Sequence, residues 1–422
     1  MKKILLLGLL MFVSYSYAFA ATVTDERVML QGARPMGMGG AFTAVSDDEN
    51  AVFYNPAGIT QRSAYLMQYF DLSVKVSNAS FWSGDYNNMD NLDNNHSVIK
   101  ENPNIMLSLV NLNFISAPIK AGENYISFGA GFFMYGNADF KFNYASSAPN
   151  RLILNYDIQG AFIFNVPLAY KITSLEAIKM PGSLSLGMNL KYIDKLKAAE
   201  SVYSDEYDNV SIDYRGGSGA GLDLGMIYHF SPVWNFGLQI SDVFTTRINY
   251  ARLSNSVSSG AVGMAAEAYT GEIPPEVNVG AVYILPIDEK SRVIFAGDIR
   301  DLSNSYEDGV IDRIHLGAEY RYSVLALRLG LNSGRPAFGI GIESNVVQLT
   351  YAFYGDHNRY TDNTDWFHEI NFSIKTGHNR GIGYGAKRQS GKSTEEVTDN
   401  KGKDAAKGTA EITDGDKATD NK

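Results

Sequence analysis

The side chains able to do chemistry are few and scattered. The chain of 422 residues carries six histidines (His96, His229, His315, His357, His368 and His378) and no cysteine. No histidine sits in an HExxH or other metal-ligand spacing, and no G-x-S-x-G turn presents a nucleophile. A Ser-His-acid set gathered from separate strands would leave no spacing to find. Without cysteine, disulfides and thiolate metal sites are excluded. "SDDEN" (Ser46 to Asn50) and "TDNTD" (Thr361 to Asp365) offer oxygen ligands but lack EF-hand spacing, so each reads as a solvated acidic turn. "GGSGAGLDLG" has no buried strand before it and no helix after it, so it is not a phosphate-binding loop. No cofactor and no metal is called for. A net charge of −10 without basic clusters excludes nucleic acid as a partner. The chain therefore reads as a non-enzyme whose chemistry is binding and passage.

The elements that position the remaining residues begin with an export segment. Lys2 and Lys3 precede an apolar run from Ile4 to Val13, and Ala18-Phe19-Ala20 places small residues before a cut at Ala21. This is the layout of a secretory signal peptide; ten apolar residues are too few for a membrane span, which needs about 20. Mean hydropathy over the whole chain is −0.16, and beyond this segment no apolar run reaches the length of a helical span. Gly 40, Tyr 26 and Phe 22 suit many strands with close backbone approach and aromatic anchors.

Period 2 runs through the chain. In "SLSLGMNLKYID", Leu184, Leu186, Met188, Leu190 and Tyr192 alternate with small or polar residues. In "GAGLDLGMIYHF" the greasy positions are Ala220, Leu222, Leu224, Met226, Tyr228 and Phe230, with Ile227 the exception. In "VLALRLGLNSG", Leu325, Leu327, Leu329 and Leu331 alternate with Ala326, Arg328, Gly330 and Asn332. The segments are about 10 residues or longer, as a tilted transmembrane strand requires. Aromatic residues collect at their ends, and Asp223 and Arg328 fall on the small-residue face, where a wet lumen tolerates charge. The expected fold is all-β, a transmembrane antiparallel barrel.

Candidate strands fall at 62–75, 104–117, 124–137, 151–167, 184–196, 218–230, 233–244, 276–285, 292–301, 312–322, 324–332, 337–343, 346–356 and 366–375, about 14 in all. Ser231-Pro232 and Tyr322-Ser323 read as periplasmic turns, and 76–103, 197–217 and 245–275 as extracellular loops. A barrel this wide has room that its own side chains cannot fill. The stretch "GARPMGMGGAFTAVSDDENAVFYNPAGIT" (Gly32 to Thr60) precedes the first strand, with five glycines and two prolines among small residues. Its glycines permit an irregular backbone. Met36, Met38, Phe42, Val45, Val52, Phe53 and Tyr54 require burial, so the segment is expected inside the lumen as a plug.

This stretch resembles the N-terminal hatch of FadL/TodX-type outer-membrane proteins and of the related PorV-like group. "PPEVNVGAVY", "IFAGDIRDL" and "RIHLGAEYRYSVLALRLGLNSG" extend the likeness more weakly, over roughly 32 to 375. The resemblance implies a 14-stranded barrel with an N-terminal hatch inside it. It implies a hatch role for Gly37, Gly39, Gly40, Asn55, Pro56, Ala57 and Gly58. It implies two alternative functions: passage of hydrophobic small molecules such as fatty acids, through a lateral opening, or a PorV-like part in protein secretion and surface attachment. A structural outer-membrane role is the remaining alternative. No motif locates ligand-binding residues.

The domain expectation is a signal peptide at 1–20, a hatch at 21–60, a barrel at 61–377 and a polar tail at 378–422. From Ala386 to Lys422 the tail holds eight Lys/Arg and eight Asp/Glu with almost nothing large and apolar, a composition that cannot form a core. Expected partners are outer-membrane lipid, a hydrophobic ligand or detergent, and secretion-machinery proteins, after export to the outer membrane.

Overall fold

A computed structural model describes residues 21–25, 31–77, 104–145, 148–203, 214–252, 268–306, 309–358 and 363–377. The expected signal peptide and polar tail lie outside the described residues, as do Thr361 and Asp362. In chain order the strands are β1 (Ala21–Thr24), β2 (Leu66–Ser77), β3 (Asn104–Ile115), β4 (Ile119–Ala121), β5 (Asn124–Ala145), β6 (Ala148–Ile172), β7 (Ser183–Tyr203), β8 (Arg215–His229) and β9 (Trp234–Ser241). They continue as β10 (Thr246–Arg252), β11 (Tyr269–Ile273), β12 (Glu276–Pro286), β13 (Ser291–Ile299), β14 (Ile314–Tyr322), β15 (Leu325–Asn332), β16 (Arg335–Glu343), β17 (Val347–Asn358) and β18 (Asn363–Thr376). Two short helices, α1 (Ala33–Gly37) and α2 (Ala51–Tyr54), and a 3-10 turn (Pro56–Gln61) lie between β1 and β2.

The ladders close on themselves. β2 pairs antiparallel with both β3 and β18, which leaves the barrel wall no free edge. β9 and β10 are one wall strand broken at 242–245, and β11 and β12 are another broken at Pro274-Pro275. Counted so, the wall has 14 strands, with β4 a short flap on β5 and β1 a parallel addition to β11.

Alternation decides which way each side chain points. Leu325, Leu327, Leu329 and Leu331 are 40–63% exposed on the outer face, while Ala326 and Arg328 between them are at most 1% exposed. Leu186, Leu190 and Tyr192 likewise face out, and Asp223 faces in. Ile227, the exception in its strand, is fully buried on the inner face. The outer apolar surface is therefore the lipid-facing one, and the inner face is largely polar or glycine, with buried apolar exceptions such as Ile227, Phe133 and Ile193.

Three expectations need correction. β5, β6 and β7 run 22, 25 and 21 residues, well past the expected ends at 137, 167 and 196, because their mutual ladders continue beyond the local turn signals. The stretch 245–275 is not one loop; β10 and β11 form a hairpin that extends the wall. The acidic turn at Ser46 to Asn50 is not solvated: Asp47 is 2% exposed and sits among arginines. The connections 230–233, 287–290, 323–324 and 344–346 lie at one end of the barrel, called here the short-turn end, while the tight turn 333–334 between β15 and β16 lies at the other.

Candidate functional site

Residues 33–60 are almost entirely buried, and they reach the wall on every side, which places them within the lumen. Gln31 sits near the far ends of β2 and β17, where its side chain accepts from Lys75 Nζ at 3.1 Å. The chain then coils across the lumen and leaves at the short-turn end, where Arg62 donates to the Gly377 carbonyl at 3.1 Å.

Much of this packing is backbone against glycine. Gly317, Gly330 and Gly339 on β14, β15 and β16 face Met38, Gly39 and Gly37 so closely that a Cβ on any of them would meet segment backbone. Gly187 and Gly225 on β7 and β8 accept Pro56-Ala57 in the same way, and Gly237 on β9 accepts Thr43-Ala44. Gly39 and Gly40 have φ of 64° and 78°, which L side chains rarely adopt, and they turn the chain beneath His315, whose Nδ1 lies 2.9 Å from the Gly39 carbonyl. Gly58 lies against the Ser46 carbonyl.

Asn55 holds the second turn. Its backbone is extended (φ −167°, ψ 106°), as expected before proline. Its side-chain oxygen accepts from Ala57 N–H at 3.1 Å, capping the 3-10 turn with Pro56 at the first position. Its Nδ2 lies 2.9 Å from the Thr43 carbonyl and 3.1 and 3.3 Å from the Met226 and Leu238 carbonyls of β8 and β9. One amide thus ties the segment to itself and to two wall strands.

Charge supplies the second fastening. Arg34 on α1 donates to Asp47 at 2.6 Å, to Asp48 at 2.8 Å and, through Nε and Nη2, to Glu319 on β14 at 2.9 and 3.1 Å. Glu319 also accepts from Arg328 at 2.8 Å, and Arg321 and Arg328 both pair with Glu343. With Arg292 3.8 Å from Glu319, four arginines balance four carboxylates, all buried. Burial works against the Asp47 charge, yet Arg34 and then Arg292 outweigh it and hold that carboxyl below the usual range. Asp298 on β13 adds a third fastening by accepting the N–H groups of Phe42 and Thr43, both at 2.8 Å.

The sequence-predicted residues Gly37, Gly39, Gly40, Asn55, Pro56, Ala57 and Gly58 thus fall into two turns pressed on opposite walls. Sequence reasoning did not identify Arg34, Glu319, Arg292, Asp298 or the receiving wall glycines. Their only signal was charge and glycine on the small-residue face, read at Asp223, Arg328 and Gly330.

Ser185 Oγ lies 3.1 Å from His229 Nε2, and His229 Nδ1 lies 3.2 Å from Asn235 Oδ1. This has the order of a nucleophile, base and orienting group. Ser185 is fully buried, however, and its oxygen accepts from Thr60 of the segment at 2.7 Å, so the line ties segment to wall. Among the described residues no group of three or more His, Asp or Glu is placed to hold a metal ion.

Toward the far end of the lumen, one side is apolar. Phe53 of α2 packs edge-on against Phe133 of β5 at 4.9 Å, within a cluster that includes Ile163, Ile193, Ile248 and Tyr250. Met106, Tyr135 and Tyr269 lie against this cluster and are only partly buried.

No protein-family model matches the chain, and no curated protein matches it. Solved structures of a hydrocarbon channel and of toluene transporters are similar to it in fold. The CymD monoaromatic hydrocarbon channel has 15% identity and a TM-score of 0.45, covering 83% of this chain and 98% of that one. The Ralstonia pickettii toluene transporter TbuX has 14% identity and a TM-score of 0.48, covering 82% and 98%. The Pseudomonas putida toluene transporter TodX, the type named in the sequence resemblance, has 11% identity and a TM-score of 0.46, covering 84% and 99%.

Proposed function

We propose that the chain is an outer-membrane barrel whose luminal segment, residues 33–61, is a plug, and that hydrophobic small molecules pass when this plug shifts. The supporting observation is the partly buried apolar surface at Met106, Tyr135 and Tyr269, which packs on the buried cluster that holds Phe53 of the plug and Phe133 of the wall. In the outer-membrane setting the short-turn end is periplasmic and this surface faces outward. A hydrophobic solute that covers it gains about 25 cal/mol per Å2 of apolar area removed from water. By wedging against Phe53, it would bias the plug toward release. The signal-peptide layout at 1–20 supports export to that membrane.

The test is uptake of labelled toluene and of a long-chain fatty acid by outer-membrane-intact cells producing the protein. The wild-type chain should raise uptake of at least one of them, and Tyr135→Asp, which places a charge on the apolar surface, should cut that gain severalfold. Absence of uptake for both would overturn the transport reading.

A second reading, a PorV-like secretion component or a structural barrel, is favoured by the tight fit of segment backbone on wall glycines. Under that reading the plug is permanent, secretion proteins co-purify, and neither probe enters.

A further inference from the structure

The plug is not sealed equally against all walls. Against β7–β9 and β14–β16 it lies backbone on glycine. Against β2, β3, β5, β17 and β18 it leaves a cavity of about 50 Å3, enough for a few water molecules at about 10–15 Å3 each. The cavity follows the wall. It reaches from Gln68 and Gln348 near the short-turn end to Lys75 and Met106 near the opposite end. Gln68 and Lys75 are separated by roughly 20 Å of strand at about 3.3 Å per residue, most of a hydrocarbon core about 30 Å thick.

Its lining is mixed: Phe53 of the plug, Met106 of β3 and Phe133 of β5 make an apolar stretch near the far end, and most of the rest is polar. Asp71, Ser73, Ser108, Asn111 and Asn371 present donors and acceptors along the wall. The Asp71 oxygens accept from Asn111 at 2.7 Å and Asn371 at 2.8 Å, both neutral amides. Gln68 is 2% exposed, yet its Oε1 has no hydrogen-bond partner. Asn113 Oδ1 on the neighbouring strand and Ser373 Oγ are in the same condition. Leaving such an atom unpaired costs about 1–3 kcal/mol, and of the three residues Gln68 lines the cavity, where a mobile polar partner would reach it. At the short-turn end the cavity is closed by Lys375, whose Nζ donates to both oxygens of Glu49 of the plug, at 2.8 and 2.9 Å, and to Gln348.

We propose that this side of the lumen is a polar passage for water and small neutral polar solutes, closed at its periplasmic end by the Lys375–Glu49 clamp. Small neutral solutes suit it, because the wall offers both donors and acceptors and its lining charges, Arg34 and Lys75 against Glu49, Asp71 and Glu369, carry both signs. The passage requires only that residues 33–61 occupy the lumen. It does not require hydrophobic cargo.

The test is osmotic swelling of liposomes containing the full chain, with glycerol and urea as permeants and sucrose as the excluded control. Glu49→Gln combined with Lys375→Gln removes the ion pair while keeping polar side chains of similar size. This double variant should swell at least tenfold faster than the wild type in glycerol and urea, and not in sucrose. Adding Ser73→Phe, which fills the cavity, should return the rate to that of the wild type, whereas Ser73→Ala should not. Heat-modifiable gel migration confirms that each barrel is folded. A folded double variant no faster than the wild type would overturn the proposal, as would a raised rate that Ser73→Phe leaves intact. Toluene uptake by cells producing the same variants reports separately on the hydrophobic route.

Discussion

Gly37 of the luminal segment and Gly339 of β16 face each other so closely that a Cβ built on either would stand 3.0 Å from the other's Cα. Neither has a positive φ, so the requirement is for space and not for an unusual backbone. Gly339→Val should therefore leave the strand intact and push the segment off the wall. Overpacking of this kind costs about 1–3 kcal/mol. At about 1.4 kcal/mol per factor of ten, opening events in planar bilayers should rise roughly tenfold or more. Gly39→Val should act more strongly, because there a positive φ of 64° adds strain to a contact with β14 and β15 backbone.

Removing Arg34 tests the charge fastening. Arg34→Met strips Asp47 and Asp48 of their closest cation and takes one from Glu319, all of them buried. Breaking a buried pair on one side costs about 3–5 kcal/mol. Amide hydrogen exchange over 33–48 should accelerate by at least a hundredfold while exchange in β14 and β15 changes little. Arg34→Lys should recover only part of the protection, since an ammonium cannot reproduce the fork to Glu319.

Asn55→Ala deletes the cap on Ala57 and the amide contacts to Thr43, Met226 and Leu238. The cap alone is worth about 0.5–2 kcal/mol. Faster exchange of the Pro56–Gln61 amides is expected, with the barrel still resistant to cold SDS.

The barrel was largely legible in the sequence and the site only partly so. Lipid outside and a polar lumen inside force a strict period of two, which is why Leu325 to Leu331 could be assigned a face before any coordinate. The β5–β7 extension was not read from the local pattern, which ended the strand at 137; the ladder runs on past that point, Asn137 pairing with Gln159 and Tyr144 with Leu152 on β6. The glycine turns at Gly37–Gly40 and Asn55–Gly58 were legible because turn chemistry is local. The Arg34–Glu319 pair was not: its members are 285 positions apart, and only barrel closure brings them together. Burial of Asp47 was missed for the same reason, since an acidic run reads as solvated until its cations are placed.

Because the chain has no cysteine, a designed pair reports on segment placement without interference. Thr60 Oγ1 and Ser185 Oγ are 2.7 Å apart, so Thr60→Cys with Ser185→Cys should form a disulfide on mild oxidation. A mobility shift reversed by reductant is the expected readout. Failure to crosslink in folded barrels would move the end of the segment away from β7.

The central claim is that residues 33–61 close the lumen, and single-channel conductance tests it most directly. The intact chain and a variant lacking residues 32–58 are reconstituted in planar bilayers under the same salt. The account predicts a nearly silent intact protein and a deleted form that inserts and conducts steadily through an open barrel. Equal and low conductance from two folded forms would contradict it.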